Sequence, residues 1–266
     1  MSRTVRIILQ ARMGSARRPG KTLAQIAGRT LLERCLERLS AALVVGRGRI
    51  PHCKWQLVVA TSRLAADDPI AAATLRFGVG CVRGPEDDVL SRYLGATADL
   101  RSDDTIVRAT ADNPLYCPER LAELVDTHLS GGACYTGVAE ALSPLVPEAM
   151  QVGALRAVQL AADVSVYDRE HVTPYLRNER GPQRVVWLPP TWRDLRPELR
   201  LTVDTPDDLQ AMNELYEALI ALTGEDRPAA WSRTQIYGTV LGLQAVRTSP
   251  DRQTAVPARY EANTIG

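Results

Sequence analysis

Apolar residues in this chain fall into short runs separated by longer stretches of helical spacing. The runs at residues 5–9, 56–60, 80–82 and 105–109 suit buried strands and are too short for helices. Leu31, Leu32, Cys35, Leu36 and Leu39 recur at the three-and-four spacing of one helix face. Pro69, Pro85 and Pro118 predict three later helix starts, because the first helical N–H has no partner within the helix and proline loses nothing there. Thr205-Pro206-Asp207-Asp208 predicts a fourth, with a hydroxyl cap, Asp208 closing the cap and Asp207 exposed in the first turn. Leu209, Met212, Leu215, Tyr216 and Leu219 then give that helix its buried face.

Strands alternating with helices predict an α/β fold, a mostly parallel twisted sheet with helices on both faces. Ligands bind such sheets beyond the carboxyl ends of the strands, so the strand-to-helix junctions are where chemistry is expected. Residues 134–190 interrupt the alternation, with apolar runs at 150–152 and 184–188. This stretch is expected to be an elaboration carrying substrate contacts or a dimer contact, within a single domain of residues 1–246. Residues 247–266 are polar and aperiodic and are expected to form a mobile tail or a docking arm.

Composition narrows the class. The 266 residues are 45% hydrophobic and 24% charged, and 32 Lys and Arg nearly balance 31 Asp and Glu. A net charge of +1 gives no general attraction to nucleic acid or to an anionic membrane. Cys35, Cys53, Cys81, Cys117 and Cys134 are scattered and include no C-x-x-C pair, which argues against a disulfide framework and a zinc site. No signal peptide or membrane-length apolar segment stands out, so a cytoplasmic protein is expected.

The first run leads into Gln10-Ala11-Arg12-Met13-Gly14-Ser15-Ala16-Arg17-Arg18-Pro19-Gly20-Lys21. Arg12, Arg17, Arg18 and Lys21 concentrate positive charge, Gly14 and Gly20 permit close backbone approach, and Ser15 adds a hydroxyl. The loop matches neither G-x-x-x-x-G-K-[ST] nor G-x-G-x-x-G, so it is read as a phosphate site of another kind, against the alternative of a solvated basic turn. Two later junctions carry aspartates. Asp112 follows the run at 105–109, and Asp204 is expected to end a further strand before the Thr-Pro helix start. Two carboxylates at neighbouring strand ends would hold one Mg²⁺, completed by water and phosphate oxygens. Each alone could equally be a turn former. Arg108 lies within an apolar run, so it either contacts an anionic ligand or forms an internal ion pair.

The string from Gln10 to Lys21 resembles the signature of cytidylyltransferases related to CMP-KDO synthetase. Within that group it is most similar to the spore-coat polysaccharide biosynthesis protein F (SpsF-like) family, which reads Q-A-R-M-G-S-T-R-L-P-G-K. Ala16 and Arg18 depart from that pattern. The strings T-x-D-x-P-L and T-V-D-T-P-E-D-L match residues 110–115 and 202–209, D-V-L-x-R-Y matches 87–93, and R-E-H-V-T-P-Y matches 169–175. The family's V-E-V segment is poorly reproduced, with 147–152 the nearest stretch. The likeness spans residues 5–219 and is weakest at 135–162.

The resemblance implies a Rossmann-like fold of the nucleotide-diphospho-sugar transferase type. It implies that Arg12, Arg17 and Lys21, with Ala11, Gly14 and Ser15, hold the triphosphate of CTP, and that Asp112 and Asp204 hold the catalytic Mg²⁺. Arg12, Lys21, Asp112 and Asp204 are the catalytic candidates. Gly84 and Asp88 would lie beside the nucleoside, although a helix-start role for the acid fits equally well. Arg108, Arg169 and His171 would face the acceptor; Arg169 and His171 could instead cross a dimer interface, or His171 be a buried, hydrogen-bonded residue. The activity implied is transfer of CMP from CTP to an acidic sugar, phosphonate or phosphate ester, with release of pyrophosphate, by a homodimer that binds no nucleic acid. Two alternatives stay open. One is a non-catalytic nucleotide-binding subunit. The other is a glycosyltransferase using a nucleotide sugar, for which a D-x-D would be expected and none occurs.

Overall fold

The structure is a computed structural model and describes residues 2–15, 18–138, 146–178, 181, 184–189 and 201–247, with side chains of the last helix given to residue 243. Arg17 and the proposed tail beyond residue 247 lie outside the described residues.

The first run forms β1 (Thr4–Gln10), which leads past a short hairpin of β2 (Gln25–Ile26) and β3 (Arg29–Thr30) into α1 (Leu31–Arg49). The alternation continues through β4 (Lys54–Ser62), α2 (Asp68–Arg76), β5 (Gly80–Gly84), α3 (Val89–Gly95), β6 (Thr105–Thr110) and α4 (Pro118–Gly131). Then come β7 (Tyr135–Val138), β8 (Glu148–Gln151), α5 (Val152–Leu160), α6 (Val166–His171), α7 (Pro174–Arg177) and β9 (Val185–Leu188). Two helices close the described chain, α8 (Pro206–Thr223) and α9 (Arg233–Arg247).

Seven strands make one sheet in the order β5-β4-β1-β6-β8-β7-β9. β1 pairs in parallel with β4 on one side and β6 on the other, so the chain reverses its winding direction across β1. A crevice opens at the carboxyl ends of strands at such a reversal. β8 runs antiparallel to both β6 and β7, while β7 and β9 are parallel, so the second half extends the same sheet. Side chains alternate between faces along a strand. Ile7 and Leu9 enter the core built with α1, α4 and α8, whereas Ile8 and Ile106 enter the opposite core with α3, α5 and α7. Helices therefore cover both faces.

Local signals explain most element starts. Thr30 and Glu33 form a reciprocal capping box on α1, and Thr205 and Asp208 form another on α8. Pro69 and Pro118 sit in the first turns of α2 and α4. Two expectations fail. Pro85 does not start a helix; α3 begins at Val89 with Asp88 as its cap. The buried Arg92 donates through Nη1 to the carbonyls of Pro85 and Glu86 at 2.7 and 2.6 Å, which holds that stretch as a loop. Residues 201–204 also form no strand. Val203 N–H instead donates to Asp112 O at 2.8 Å, joining the segment to the loop after β6 by a main-chain bond.

Arg38 on α1 is fully buried and faces three carbonyls, those of Tyr116, Pro228 and Trp231, at 2.8, 2.6 and 2.9 Å. It ties the helix both to the loop following Asp112 and to the turn before α9. Next to it in function is a close contact of α1 with the sheet. A Cβ on Gly46 would lie 2.6 Å from three ring carbons of Trp55 in β4. Gly46→Ala should gain about 0.5–1 kcal/mol of helix preference but lose about 1–3 kcal/mol to overpacking. The expected outcome is a lower melting temperature by circular dichroism; an unchanged or higher one would mean that α1 can shift off Trp55 without cost.

Candidate active site

The phosphate loop leaves β1 at its carboxyl end and is folded back on itself by main-chain bonds. Ser15 N–H and Gly20 N–H both donate to Met13 O at 2.9 Å, and Thr22 Oγ1 donates to Arg12 O at 2.8 Å. Gly20 takes φ 77°, a left-handed conformation that glycine adopts without steric penalty. Gly14 permits close approach, since a Cβ there would lie 2.6 Å from Glu86 Oε1. The loop is also held from below. Asp67, buried ahead of α2, accepts Met13 N–H at 2.7 Å and Ser62 N–H at 3.1 Å. Burial pushes its carboxyl up, but hydrogen bonds from Ser62 and Met13 outweigh that and hold it below the ordinary range.

Behind the loop the two expected aspartates converge on one cation, the ammonium of Lys21. Lys21 Nζ lies 2.8 Å from Asp204 Oδ1, 3.4 Å from Asp112 Oδ2 and 2.8 Å from Val203 O. Thr110 Oγ1 donates to Asp112 Oδ1 at 2.7 Å and fixes the rotation of that carboxylate. The donor set is hard oxygen around a position already taken by a positive charge, which suits Mg²⁺. That ion commonly binds through one or two carboxylates and keeps water or phosphate oxygens for the rest of its octahedron. Among the described residues no group of three or more His, Cys, Asp or Glu side chains converges, so an ion here would meet these two carboxylates and draw its other ligands from water or a bound anion.

Two clefts meet at Asp112. One, of about 350 Å³, is lined by Ala11, Arg12, Ser15, Lys21, Asp112 and Asp204. The other, of about 640 Å³, is lined by Arg108, Glu148, Tyr167, Arg177 and Trp187 among others. Thr110, Asp112 and His171 line both and form the wall between them. His171 is fixed there by an unusual turn. Thr173 N–H donates to His171 O at 2.8 Å around Val172, whose φ is 68° and ψ −52°. A β-branched residue rarely adopts this γ-turn, and such strain costs on the order of 1–3 kcal/mol. Val172 is fully buried, so packing enforces the turn. Tyr167 lies against the imidazole at 4.2 Å between ring centroids.

In the second cleft Arg108 adopts the internal ion pair rather than standing as a bare anion contact: Nη1 lies 3.3 Å from Glu148 Oε2. Glu148 also accepts from Tyr135 Oη and lies 3.7 Å from Arg177 Nη1. Burial and the neighbouring Glu148 raise the Tyr135 phenol well above its ordinary value, so it remains a donor. Arg108 Nε is buried with no partner among the described residues, and the arginine still lines the cleft.

Four described candidates, Gly14, Gly84, Asp88 and Arg169, line neither cleft. Asp88 caps α3 through Ser91 N–H at 2.9 Å, and Arg169 donates to it at 2.9 Å. That bond and the Arg12–Glu170 pair at 3.8 Å strap α6 to the phosphate-loop side of the sheet. A Cβ at Gly84 would lie 2.8 Å from Arg92 Cγ, so this glycine makes room for Arg92. Asp67, Glu148 and Tyr135 were missed from the sequence; the weak V-E-V match at 147–152 was the one signal that touched Glu148.

Comparisons with known proteins bear on the family and the fold. A family model described as cytidylyltransferase matches residues 6–227. The spore coat polysaccharide biosynthesis protein SpsF of Bacillus subtilis (strain 168) is 32% identical over 210 residues, covering 79% of this chain and 85% of that protein. A solved cytidylyltransferase from Leptospira borgpetersenii serovar Hardjo-bovis matches with TM-score 0.73 and 25% identity, over 95% of this chain and 99% of that one. The structure of CMP:2-keto-3-deoxy-manno-octonic acid synthetase complexed with CTP shares the fold, with TM-score 0.57 at 17% identity over 84% of this chain and 100% of that chain.

The anchor beneath the phosphate loop is directly testable. Asp67→Asn turns one acceptor oxygen into a donor facing a main-chain N–H and should cost about 1–3 kcal/mol in urea denaturation. The folded carboxyl titrates below its unfolded value of about 3.9, so its stabilisation is complete above that value and is lost as pH falls through the folded one. The gap between wild type and variant should therefore narrow below about pH 4. A gap that stays constant into stronger acid would refute the anchoring role.

Proposed function

The chain belongs to the cytidylyltransferase family and is a nucleotidyltransferase, and on that premise we propose that it transfers CMP from CTP to an oxygen of a small acidic acceptor and releases pyrophosphate. The observation that carries this reading is the shared wall. Thr110, Asp112 and His171 border both clefts, so an oxygen entering from the wider one meets a phosphate lying in the narrower one beside the carboxylate pair.

In this reading the triphosphate lies along the loop against Arg12, Ser15 and the main chain about Gly14, with Arg17 and Lys21 contributing by the family pattern. CTP as the nucleotide is supported by the family and by the related synthetase whose structure holds CTP. The acceptor lies in the cleft of Arg108, Arg177 and Glu148, where two guanidiniums face one carboxylate and an anionic group is favoured. His171 orients the attacking oxygen at the wall. The acceptor oxygen bonds to the α-phosphorus, passing its proton to water where it is a hydroxyl; the bond from that phosphorus to the bridging oxygen breaks, and the charge leaves on pyrophosphate beside Arg12. Bound to Asp112 and Asp204, Mg²⁺ would offset the triphosphate charge and polarise the α-phosphate. The remaining work is positioning and charge stabilisation, which needs no covalent intermediate. The acceptor is an acidic sugar, a phosphonate or a phosphate ester, and the name of the SpsF relative favours a precursor of a surface polysaccharide. A cytoplasmic homodimer belongs to the same proposal; no helix among the described residues is long and apolar enough to cross a membrane.

Pyrophosphate release from each of the four nucleoside triphosphates, with Mg²⁺ and a panel of acidic acceptors, tests this reading. Release is expected with CTP and one acceptor class, and equal release from all four nucleotides would overturn the CTP assignment. Asp112→Asn should lower turnover by about a hundredfold to a thousandfold, the scale of losing one charge-stabilising group, while retaining the wild-type circular dichroism spectrum. Near-normal turnover in that variant would remove Asp112 from the reaction.

A further inference from the structure

Lys21 is expected from the sequence to reach toward phosphate, yet its ammonium is fully committed elsewhere. An ammonium has three N–H donors, and Lys21 Nζ faces three oxygens, from Asp204, Val203 and Asp112. The lysine side chain is 11% exposed and that of Asp204 12%, whereas that of Asp112 is 28% exposed and marks the open side. As it stands, Lys21 can take a phosphate oxygen only by releasing one of these partners. The carboxylates for their part repel each other and are poorly solvated where they converge, so a cation between them stabilises the pair.

The occupants of this position exclude one another. Magnesium holds oxygen ligands at about 2.1 Å, which leaves no space for an ammonium among the same carboxylate oxygens. Lysine is suited to such an exchange, being a compact charge on a flexible four-carbon stem. Its main chain, by contrast, is fixed: Gly20 and Thr22 on either side are bonded back to Met13 and Arg12 of the phosphate loop. The side chain can therefore swing while its Cα stays at the edge of the cleft that Ser15 and Arg12 line.

We infer that Lys21 is a resident counterion that holds Asp112 and Asp204 in register until a divalent cation arrives with a triphosphate, whereupon the cation takes the carboxylates and Lys21 takes the phosphate. The inference rests on the reading of this cleft as a metal–nucleotide site. Its physical content is that no charge is left unpaired before or after the exchange. A metal ion arriving alone would expel the ammonium with no anion to receive it. The free protein should thus bind divalent cations poorly, and nucleotide and cation should each favour the other by the same factor, as linkage requires. Lys21 is a positioning residue for the carboxylates in one state and a phosphate ligand in the other.

The test is Mn²⁺ binding to nucleotide-free protein, read from the electron paramagnetic resonance signal of the free ion. Lys21→Met should bind Mn²⁺ about tenfold or more tightly than wild type, within the 5–150-fold range usual for coupling between sites. Arg18→Met removes the same charge from the same loop, but Arg18 lines a separate depression with Pro206 and Leu209, so that variant should match wild type. Without metal, Lys21→Met should melt below wild type, and Mn²⁺ should restore the loss. A lysine with a merely structural role would lower the melting temperature without that recovery. Equal Mn²⁺ affinity in Lys21→Met and wild type would overturn the exchange, and so would a variant that stays unfolded with Mn²⁺ as without it. Adding Asp112→Asn or Asp204→Asn to Lys21→Met separates this from the broader reading. If neither addition weakens Mn²⁺ binding, the carboxylate pair is not the cation site at all.

Discussion

Two negative charges must be brought together at one point, and much of the architecture answers that constraint. Asp112 arrives from the end of β6 and Asp204 from the segment ahead of α8, two places distant in sequence. Val203 N–H bonded to Asp112 O fastens the two main chains. Tyr216 on α8 donates to Pro114 O at 2.9 Å, so the packing of that helix also fixes the loop that carries Asp112. Arg38 reaches the neighbouring Tyr116 carbonyl from α1. The carboxylates are thus held by backbone and buried side chains on several sides, while the Lys21 ammonium between them offsets their repulsion.

The second cleft is organised by the opposite imbalance. Arg108, Arg177 and Glu148 leave positive charge in excess, and Tyr135 supplies a fixed donor to the carboxylate. β8 makes this possible by pairing antiparallel with β6, which sets Arg108 opposite Glu148 in register. Cross-strand neighbours of opposite charge are favourable in such a ladder. The short α6 then closes the wall, held by Arg169 to Asp88 and by Glu170 to Arg12, and ended by the strained turn at Val172.

Much of this was legible in the sequence, for identifiable reasons. The parallel strands and their helices are written in apolar spacing, and the cap formed by Thr205 and Asp208 in a local pattern of four residues. The phosphate loop and both aspartates carry compact strings. What escaped depends on contacts distant in sequence. Asp67 acts by accepting main-chain N–H groups from two other segments, which leaves no periodic trace. Glu148 gains its role only through the strand register across from Arg108. Proline is ambiguous because it suits a helix start and a turn alike, and at Pro85 the buried Arg92 decides for the turn. The β-like run before Asp204 misled because a main-chain bond to a loop and the Lys21 ammonium, rather than a ladder, hold it. Arg169 was carried toward the acceptor by its motif, yet its partner is Asp88.

The separation of the two aspartates along the chain has a consequence for synthesis. A growing polypeptide reaches Arg12, Lys21 and Asp112 well before Asp204, and domains emerging from the ribosome begin to fold from the amino end. The strands β1, β4, β5 and β6 can thus assemble around a loop whose lysine still lacks one of its carboxylate partners. Only when Asp204 and α8 dock does that charge arrangement become whole. A prematurely terminated product would keep the loop after β1 and its lysine but not the carboxylate pair, so ribosomal truncation separates the cationic loop from the second of its two anionic partners.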